Sequence, residues 1–92
     1  MVEFLLHDHR DTVGVVVMDI QPGQTVKGKA LDNGVLLDLT AREAIPLGHK
    51  IALKDFQPGD SVVKYDEDIG RVVQPIRAGE HVHVHNLKTK RW

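Results

Sequence analysis

Short apolar segments alternate with turn-forming residues along the whole chain, and one combination of the two recurs. An apolar residue is followed by glycine three positions on and by a β-branched residue three positions further, four times in all: Ile20-Gly23-Val26, Ile45-Gly48-Ile51, Phe56-Gly59-Val62 and Ile76-Gly79-Val82. Proline lies one or two residues before three of these glycines. Because proline pre-sets φ for a turn and glycine supplies the positive φ of a type II turn, each copy predicts a strand, a tight turn and a second strand.

The spacing of these copies bears on the architecture. The gaps between successive glycines are 25, 11 and 20 residues. Such irregular spacing argues against a solenoid and favours one small, convoluted β-fold whose short strands meet at similar corners. We number the copies corner one to corner four in chain order.

Between the corners, short β-branched segments bounded by Gly, Pro or Asp predict strands. They are residues 12–20, 35–39, 51–53, 61–65, 69–73 and 80–85. Asn33-Gly34 is the strongest hairpin signal. A helix is expected at most as one turn over residues 40–44, with Thr40 as N-cap and Glu43 as its partner. The predicted fold class is all-β, a small barrel-like or clip-like domain with many short strands and tight corners.

Length and composition narrow the class of protein. Ninety-two residues predict a single domain over residues 1–92, with no linker or low-complexity segment. The apolar runs are too short to cross a bilayer, and the N-terminus lacks the features of a secretory signal. The chain has no cysteine, which excludes disulfides and thiolate chemistry. We therefore expect a cytoplasmic protein that does not act in a membrane.

Charge and aromatic content argue against nucleic-acid binding. The formal net charge is −1, with 12 basic and 13 acidic residues, so no global field attracts a polyanion. Aromatic residues make up 4% of the chain, too few for a base-stacking platform. The basic cluster at Lys88, Lys90 and Arg91 is interpreted as a solvated terminus.

The six histidines fall in three places: His7 with His9, His49, and the trio His81, His83 and His85. In a strand, residues two apart share a face, so the trio would line one side at intervals of about 6.5–7 Å, with Val82 and Val84 buried on the other.

A straight row of three imidazoles cannot easily share one metal, so two of them plus a residue from elsewhere form the expected ligand set. Supporting ligands are His49, Asp8 or a carboxylate of a partner chain. The alternative is a polar, solvent-facing strand without chemistry. The weaker His7-Asp8-His9 cluster is interpreted as an exposed loop.

Corner two carries further ionisable side chains. Arg42 offers a planar fork for a carboxylate, and Lys50 offers a point charge beside His49. Taken singly, each is an ordinary surface charge, but together with imidazoles they would form a pocket for a small anion, which Lys64 could join. Ser61 is the only serine, and no nucleophile elbow or phosphate loop is present, which argues against covalent acyl transfer.

Three strings of the sequence resemble a known family: residues 42–55, residues 63–65 with 69–70, and residues 79–87, which include Gly-His-Lys and His-Val-His-Val-His-Asn. They are similar to the N-terminal domain of altronate and galactarate dehydratases, and the match extends to the small subunit of sulfolactate sulfo-lyase. The resemblance implies a SAF-type domain with a β-clip fold that works beside a much larger catalytic subunit or domain.

The resemblance also implies a reaction, the β-elimination of water or sulfite from a small hydroxy acid. A divalent metal, commonly iron, is required in that family, and the large partner is one place for it. The residues expected at the site are, for catalysis, His81, His83 and His85; for the metal, His83 and His85; and for the substrate anion, Arg42, His49, Lys50 and Asn86. In the resemblance, galactarate-type members keep only one histidine of the trio, at the position of His83, which makes His83 the first choice for an indispensable role.

Two departures from the family matter. The family usually reads Lys-Tyr-Gly-Glu where this chain has Lys64-Tyr65-Asp66-Glu67, which affects the turn and its contact with the large domain. The dehydratases also continue far beyond the position of Trp92, so this sequence is either a separate small subunit or a domain of a longer chain. Residues 87–92 would then be a docking tail or a linker stub.

Three functional hypotheses follow. The leading one is a small subunit or domain of a metal-dependent lyase, inactive alone. The second is a non-catalytic SAF module that binds a carbohydrate acid or a partner protein. The third, a stand-alone metal-binding or antifreeze-like protein, rests on fold analogy alone. Formation of a homo-oligomer stays open.

Overall fold

The computed structural model describes residues 1–64 and 67–89, and every regular element in that part of the chain is a strand. The strands are β1 (Phe4–Leu6), β2 (Val13–Val16), β3 (Thr25–Ala30), β4 (Leu36–Thr40), β5 (Lys50–Ala52), β6 (Ser61–Lys64), β7 (Glu67–Val72), β8 (His81–Val82) and β9 (Leu87–Thr89). The all-β prediction is confirmed.

The strands form two sheets. One has six strands in the order β4-β3-β1-β2-β5-β8, and the other has three in the order β6-β7-β9. Neighbouring strands are antiparallel except β1 and β3, which run parallel. Thr12 ties the sheets together, because its N–H donates to Val63 O at 2.9 Å and its hydroxyl accepts from Val63 N at 3.0 Å. The end of β6 therefore lies beside the start of β2.

The four predicted corners share one hydrogen-bond pattern. Their glycines have φ between 83° and 95°. The residue after each glycine donates its N–H to the carbonyl three residues earlier, at 3.0–3.2 Å, which is a type II turn with glycine at its third position. Each glycine N–H also donates to the carbonyl of a buried residue on another segment. The N–H of that buried residue donates in turn to the carbonyl of the residue that follows the glycine. In the order of the corners, the four buried residues are Ala41, Val16, Val72 and Ala52. The repeated turn is confirmed.

The apolar residues of the corners build the core in two clusters. Corners one and two contribute to a cluster of Phe4, Leu6, Val16, Ile20, Val26, Ala30, Ala41, Ile45 and Ile51. Corners three and four contribute to a cluster of Val13, Ala52, Phe56, Val62, Val72, Ile76, Val82 and Leu87. Each fully buried Val, Ile or Phe side chain stabilises the fold by roughly 1.5–3 kcal/mol.

The other predicted elements agree with the structure in part. The hairpin at Asn33-Gly34 is confirmed, since it joins β3 to β4 with Gly34 at φ 73°. The helical turn over residues 40–44 is wrong. Thr40 ends β4, and the carboxylate of Glu43 accepts a hydrogen bond from His81 N instead of capping a helix. Strand β1 was not predicted. Strand β3 was expected only as the strand that follows corner one, and Gly28 in its centre leaves the space that the Phe4 ring fills.

The expected docking tail is partly integrated in the fold. Leu87–Thr89 form β9, which pairs with β7. Lys90, Arg91 and Trp92, which complete the tail and the basic cluster, lie outside the described residues, as do Tyr65 and Asp66 of the Lys64–Glu67 turn. Within the described ranges, no helix is long and apolar enough to span a membrane.

Candidate functional site

His81, His83 and His85 do not form the expected straight row along one strand. Strand β8 ends at Val82, because it pairs only with Lys50 and Ile51 of β5. Residues 83–86 then turn, with the N–H groups of Asn86 and Leu87 both donating to His83 O at 3.1 and 2.9 Å. Val84 is 76% exposed. The prediction of a strand over residues 80–85 is confirmed for His81–Val82, with Val82 buried, and is wrong beyond Val82, where the chain turns and Val84 is exposed.

The turn instead gathers four imidazoles, those of His49, His81, His83 and His85, which we call the imidazole cluster. Ring centroids lie 5.5 Å apart for His81 and His83, and 5.3 Å apart for His81 and His85. His49 stacks on His83 at 4.1 Å with an interplanar angle of 24°. Its Nδ1 lies 2.8 Å from His81 Nε2.

Strand register explains why His49 joins the cluster. Ile51 lies opposite His81 in the β5–β8 pair, so their side chains leave the same face of the sheet. His49 is two residues before Ile51 and follows Gly48 in corner two, which brings its ring to that face. The structure thus places the one histidine expected as a supporting ligand beside the C-terminal trio.

Two sets of three side chains in this region bring ligand atoms within 4.8 Å of one another, namely His49, His81 and His83, and Glu43, His81 and His85. His81 belongs to both sets, and His83 and His85 fall in different sets. Asp8 lies elsewhere, in a third set with His9 and Asp32, where Arg10 Nε and Nη2 also bind it at 2.9 and 2.8 Å.

Glu43 is a site residue that sequence reasoning missed. Its Oε1 accepts a hydrogen bond from His81 N at 2.6 Å, and its side chain is half-buried. The sequence offered one signal, a carboxylate within the ionisable corner two. Its proximity to the imidazoles arises from a tertiary contact that no local pattern encodes.

Asn86 holds the histidine turn in shape. It is only 5% exposed. Its Oδ1 accepts from His83 N at 3.0 Å, and its Nδ2 donates to His81 O at 2.7 Å. The structure therefore places both polar atoms of this expected substrate ligand against the backbone of the histidine turn.

The protonation of the cluster follows from its crowding. Burial lowers the pKa of His81, and the charges of His49, His85 and His83 lower it further, against a raising effect of Glu43. His83 is exposed, but partial desolvation by its neighbours lowers its pKa as well, followed by the charges of His49, Lys50 and His85. Both shifts favour neutral rings near pH 7, whose lone pairs can accept a proton or bind a metal.

The expected anion-binding side chains separate into two places. Lys50 is half-buried beside the cluster, and burial and then the charge of Lys64 lower its pKa. Arg42 is exposed and donates from Nε to Ala78 O at 3.2 Å. It lines a shallow depression of about 400 Å³ with Leu39, Thr40 and Ala78, and among the described residues no hydrogen bond or ring contact joins it to the imidazoles.

Comparison with known proteins fits this arrangement. Residues 2–90 match the family described as the altronate/galactarate dehydratase SAF domain. The chain belongs to this family. The resemblance inferred from the three sequence strings is thereby confirmed.

Individual relatives show how this SAF domain occurs. It is 51% identical over 92 residues to the (2R)-sulfolactate sulfo-lyase subunit alpha of Chromohalobacter salexigens, covering 99% of this chain and 98% of the relative. The subunit alpha of Paracoccus pantotrophus is 59% identical over 54 residues, which is 59% of this chain and 81% of the relative. The altronate dehydratase of Bacillus subtilis is 39% identical over 97% of this chain, but only 17% of that enzyme is covered.

The donors of this SAF domain fit the divalent metal that the resemblance implies. Neutral imidazoles and a carboxylate are ligands for zinc, iron and other first-row metals. Glu43, His81 and His85 supply two imidazoles and one carboxylate, the combination typical of non-haem Fe(II) sites. The set of His49, His81 and His83 supplies three imidazoles, which also suit zinc.

Proposed function

We propose that this SAF domain is the small subunit of a lyase that acts by β-elimination on a small hydroxy acid and requires a larger catalytic partner. The observation that carries the proposal is the imidazole cluster on a chain 51% identical to a sulfo-lyase subunit alpha along 98% of that relative's length. The same domain makes up 17% of the length of an altronate dehydratase, which supports a partner several times larger than this chain. The cytoplasm is the proposed location.

The proposed substrate is the one named for these relatives, (2R)-sulfolactate. A base removes the proton on the carbon between the hydroxyl and the carboxylate. The electron pair of that C–H bond becomes the C=C bond, and the pair of the C–S bond leaves with sulfite. The enol that remains takes up a proton on carbon and releases its hydroxyl proton, which gives pyruvate. The proton taken by the base is the one surplus proton, and it leaves on sulfite as hydrogen sulfite, so atoms and charge balance.

His83 is the proposed proton acceptor. Its ring is exposed, its lowered pKa favours the neutral form that can accept a proton, and it stacks on His49 at 4.1 Å. Asn86 fixes the backbone on both sides of Val82 and so positions the ring.

Glu43, His81 and His85 are the proposed ligands for iron. Their combination of oxygen and nitrogen donors supports this choice over the three-imidazole set. Bound there, the ion would act as a Lewis acid on the substrate carboxylate or hydroxyl. The Nε2 of His81 contacts His49 Nδ1 at 2.8 Å, an outer contact that would orient the ligand ring.

The test is reconstitution. The chain, a candidate large catalytic subunit, and their mixture are each given (2R)-sulfolactate, altronate or galactarate, and sulfite and keto acid are measured. We expect turnover of sulfolactate by the mixture only. Robust turnover by the 92-residue chain alone, or an equally active large subunit without it, would contradict the proposal.

A second candidate is a binding module without a catalytic part. It is favoured by three exposed apolar side chains around the β3–β4 hairpin, Leu31, Val35 and Leu36, at 54–55% exposure. Such side chains are suited to contact with a partner protein. Under this hypothesis, His83→Gln would leave turnover by the complex unchanged, whereas a Leu36→Ser substitution would weaken assembly.

A further inference from the structure

The residue that follows the corner glycine closes its turn with two hydrogen bonds in corners one, three and four. Its backbone N–H donates to the carbonyl of the residue three positions earlier, at 3.0–3.2 Å. Its side-chain oxygen accepts the N–H of that same earlier residue, at 2.6–3.2 Å. The pairs are Gln21 with Gln24, Gln57 with Asp60, and Arg77 with Glu80. In these three corners, the side chain after the glycine is therefore bound within its own turn.

Corner two lacks the donor for the second of these hydrogen bonds. The residue three positions before His49 is Pro46, which has no backbone N–H. The backbone hydrogen bond is kept, because His49 N donates to Pro46 O at 3.0 Å. The side chain of His49 leaves the turn, and its Nδ1 lies 2.8 Å from His81 Nε2.

The remaining N–H groups of corner two are bound by other segments. Leu47 N donates to Asp19 Oδ1 at 2.8 Å, and Gly48 N donates to Val16 O at 2.9 Å. Corner four has both bonds at the same positions of its turn. The two corners therefore differ in the first residue of the turn, which is proline in corner two and Arg77 in corner four, and in where the side chain after the glycine binds.

Proline has a different position in corner two than in corners one and three. Pro22 and Pro58 are the second residues of their turns, so the first residue keeps its N–H and the ring only pre-sets φ. Pro46 is the first residue of its turn and removes that N–H. Pro22 and Pro58 therefore serve as controls for the general effect of a proline in these corners.

An imidazole at this position can reach the same N–H as a carboxylate does. The Nδ1 of histidine is bonded to Cγ, as Oδ2 of aspartate is, and Asp60 Oδ2 accepts the N–H of Gln57 at 2.8 Å in corner three. A neutral imidazole accepts a hydrogen bond at its unprotonated nitrogen. An N–H at position 46 would therefore compete with His81 for Nδ1 of His49.

We propose that Pro46 is a positioning residue for His49. Because Pro46 withholds the N–H that binds the side chain in the other corners, Nδ1 of His49 is left to contact His81. The same ring then stacks on His83, at 4.1 Å between centroids and with an interplanar angle of 24°. The consequence for metal binding and turnover rests on the proposed function, in which His49 orients a metal ligand and contacts the proton acceptor.

The first test is NMR of the full chain and needs no lyase activity. Pro46→Ala supplies the missing N–H, and Pro46→Gln restores the residue that begins corners one and three; position 46 is exposed, so neither change disturbs the core. We expect loss of the nuclear Overhauser effects between the rings of His49 and His83, and slow solvent exchange of the new amide proton. Pro58→Ala, the matched control, should keep the ring contacts. Unchanged ring contacts in both folded Pro46 variants, or the same loss in Pro58→Ala, would overturn the proposal.

The second test is a double-mutant cycle of Fe(II) affinity in the reconstituted complex. Pro46→Ala should weaken binding by no more than His49→Gln, which removes an outer contact worth about 10- to 100-fold. Added to His49→Gln, it should change the affinity no further, since Pro46 acts through that ring alone. Additive losses would make Pro46 a structural residue only and contradict the proposal. If the complex is inactive but the NMR spectra change as expected, the proposed function fails and the role of Pro46 stands.

Discussion

His49 Nδ1 and His81 Nε2 lie 2.8 Å apart, so one ring donates a hydrogen bond to the other and the pair holds at most one proton between these two atoms. The contact joins corner two to strand β8. His81 also belongs to both sets of side chains that could hold a metal ion in this cluster.

Metal binding should depend on His81 more than on any other cluster residue. We expect His81→Gln to abolish tight binding of Fe(II), measured by anaerobic calorimetry on the reconstituted complex and by metal content. Glu43→Gln removes an oxygen donor and should weaken binding more than His49→Gln, which removes an outer contact worth about 10- to 100-fold. The matched control is His9→Gln, in the separate set with Asp8 and Asp32. A larger loss in His49→Gln than in Glu43→Gln would assign the ion to the three-imidazole set.

Acid should destabilise the metal-free chain in the range where histidines titrate. The folded state lowers the pKa of His81 and His83 below their usual value of about 6.5, so it favours the neutral rings. Their full contribution to stability is present above pH about 6.5 and is lost as the pH falls through the lower folded pKa.

Urea unfolding between pH 7.5 and 5 measures this effect. His81→Gln should make the pH dependence shallower. The lowered pKa values of Asp8 and Asp32 act in a separate window, because carboxylate stability is lost only below pH about 3.9. An unchanged pH dependence in His81→Gln would contradict the account.

Gly79 should tolerate substitution less than any other corner glycine. Its φ is 91°, and a Cβ there would overlap the backbone carbonyl of Thr40. Gly59 has φ 95° but open space around a Cβ. We expect Gly59→Ala to cost about 1–2 kcal/mol of unfolding free energy from the left-handed backbone alone.

Gly79→Ala should cost clearly more, or prevent folding, because the carbonyl is backbone and cannot turn aside. Equilibrium denaturation of the two variants gives the comparison. Similar losses at Gly59 and Gly79 would show that corner four is less tightly packed against β4 than the structure indicates.

The Asn86→Ala variant should show whether Asn86 positions His83 or contacts the substrate itself. The substitution removes both side-chain hydrogen bonds to the backbone of the histidine turn and should cost about 1–3 kcal/mol of stability. In the complex, it should lower kcat more than it raises KM, because it displaces His83 rather than a direct substrate contact. Asn33→Ala, in the exposed β3–β4 loop, is the control. A large rise in KM alone would make Asn86 a substrate ligand.

The corners were predictable because their information is local. Proline and glycine at fixed offsets specify a type II turn, and the apolar residues three positions before and after each corner glycine are buried in all four corners. The extent of strand β3 was missed because Gly28 interrupts its alternating pattern, and only the Phe4 ring from a distant strand explains that glycine.

The sequence predicts that the histidines form a site, but it does not predict how their rings are arranged. Periodicity alone extends β8 through His85, whereas the end of the β5 ladder and the side chain of Asn86 turn the chain at His83. Glu43 enters the site through a contact 38 residues distant in sequence, which no spacing rule encodes.

We propose that this chain brings the imidazole of His83 to a lyase site that its partner completes. The most direct measurement is kcat for sulfite release from (2R)-sulfolactate by the reconstituted complex carrying His83→Gln, with His9→Gln as the matched control. We expect a loss of about 10²–10⁴-fold in His83→Gln, with assembly unchanged and His9→Gln fully active. Wild-type kcat in a complex that contains His83→Gln would contradict it.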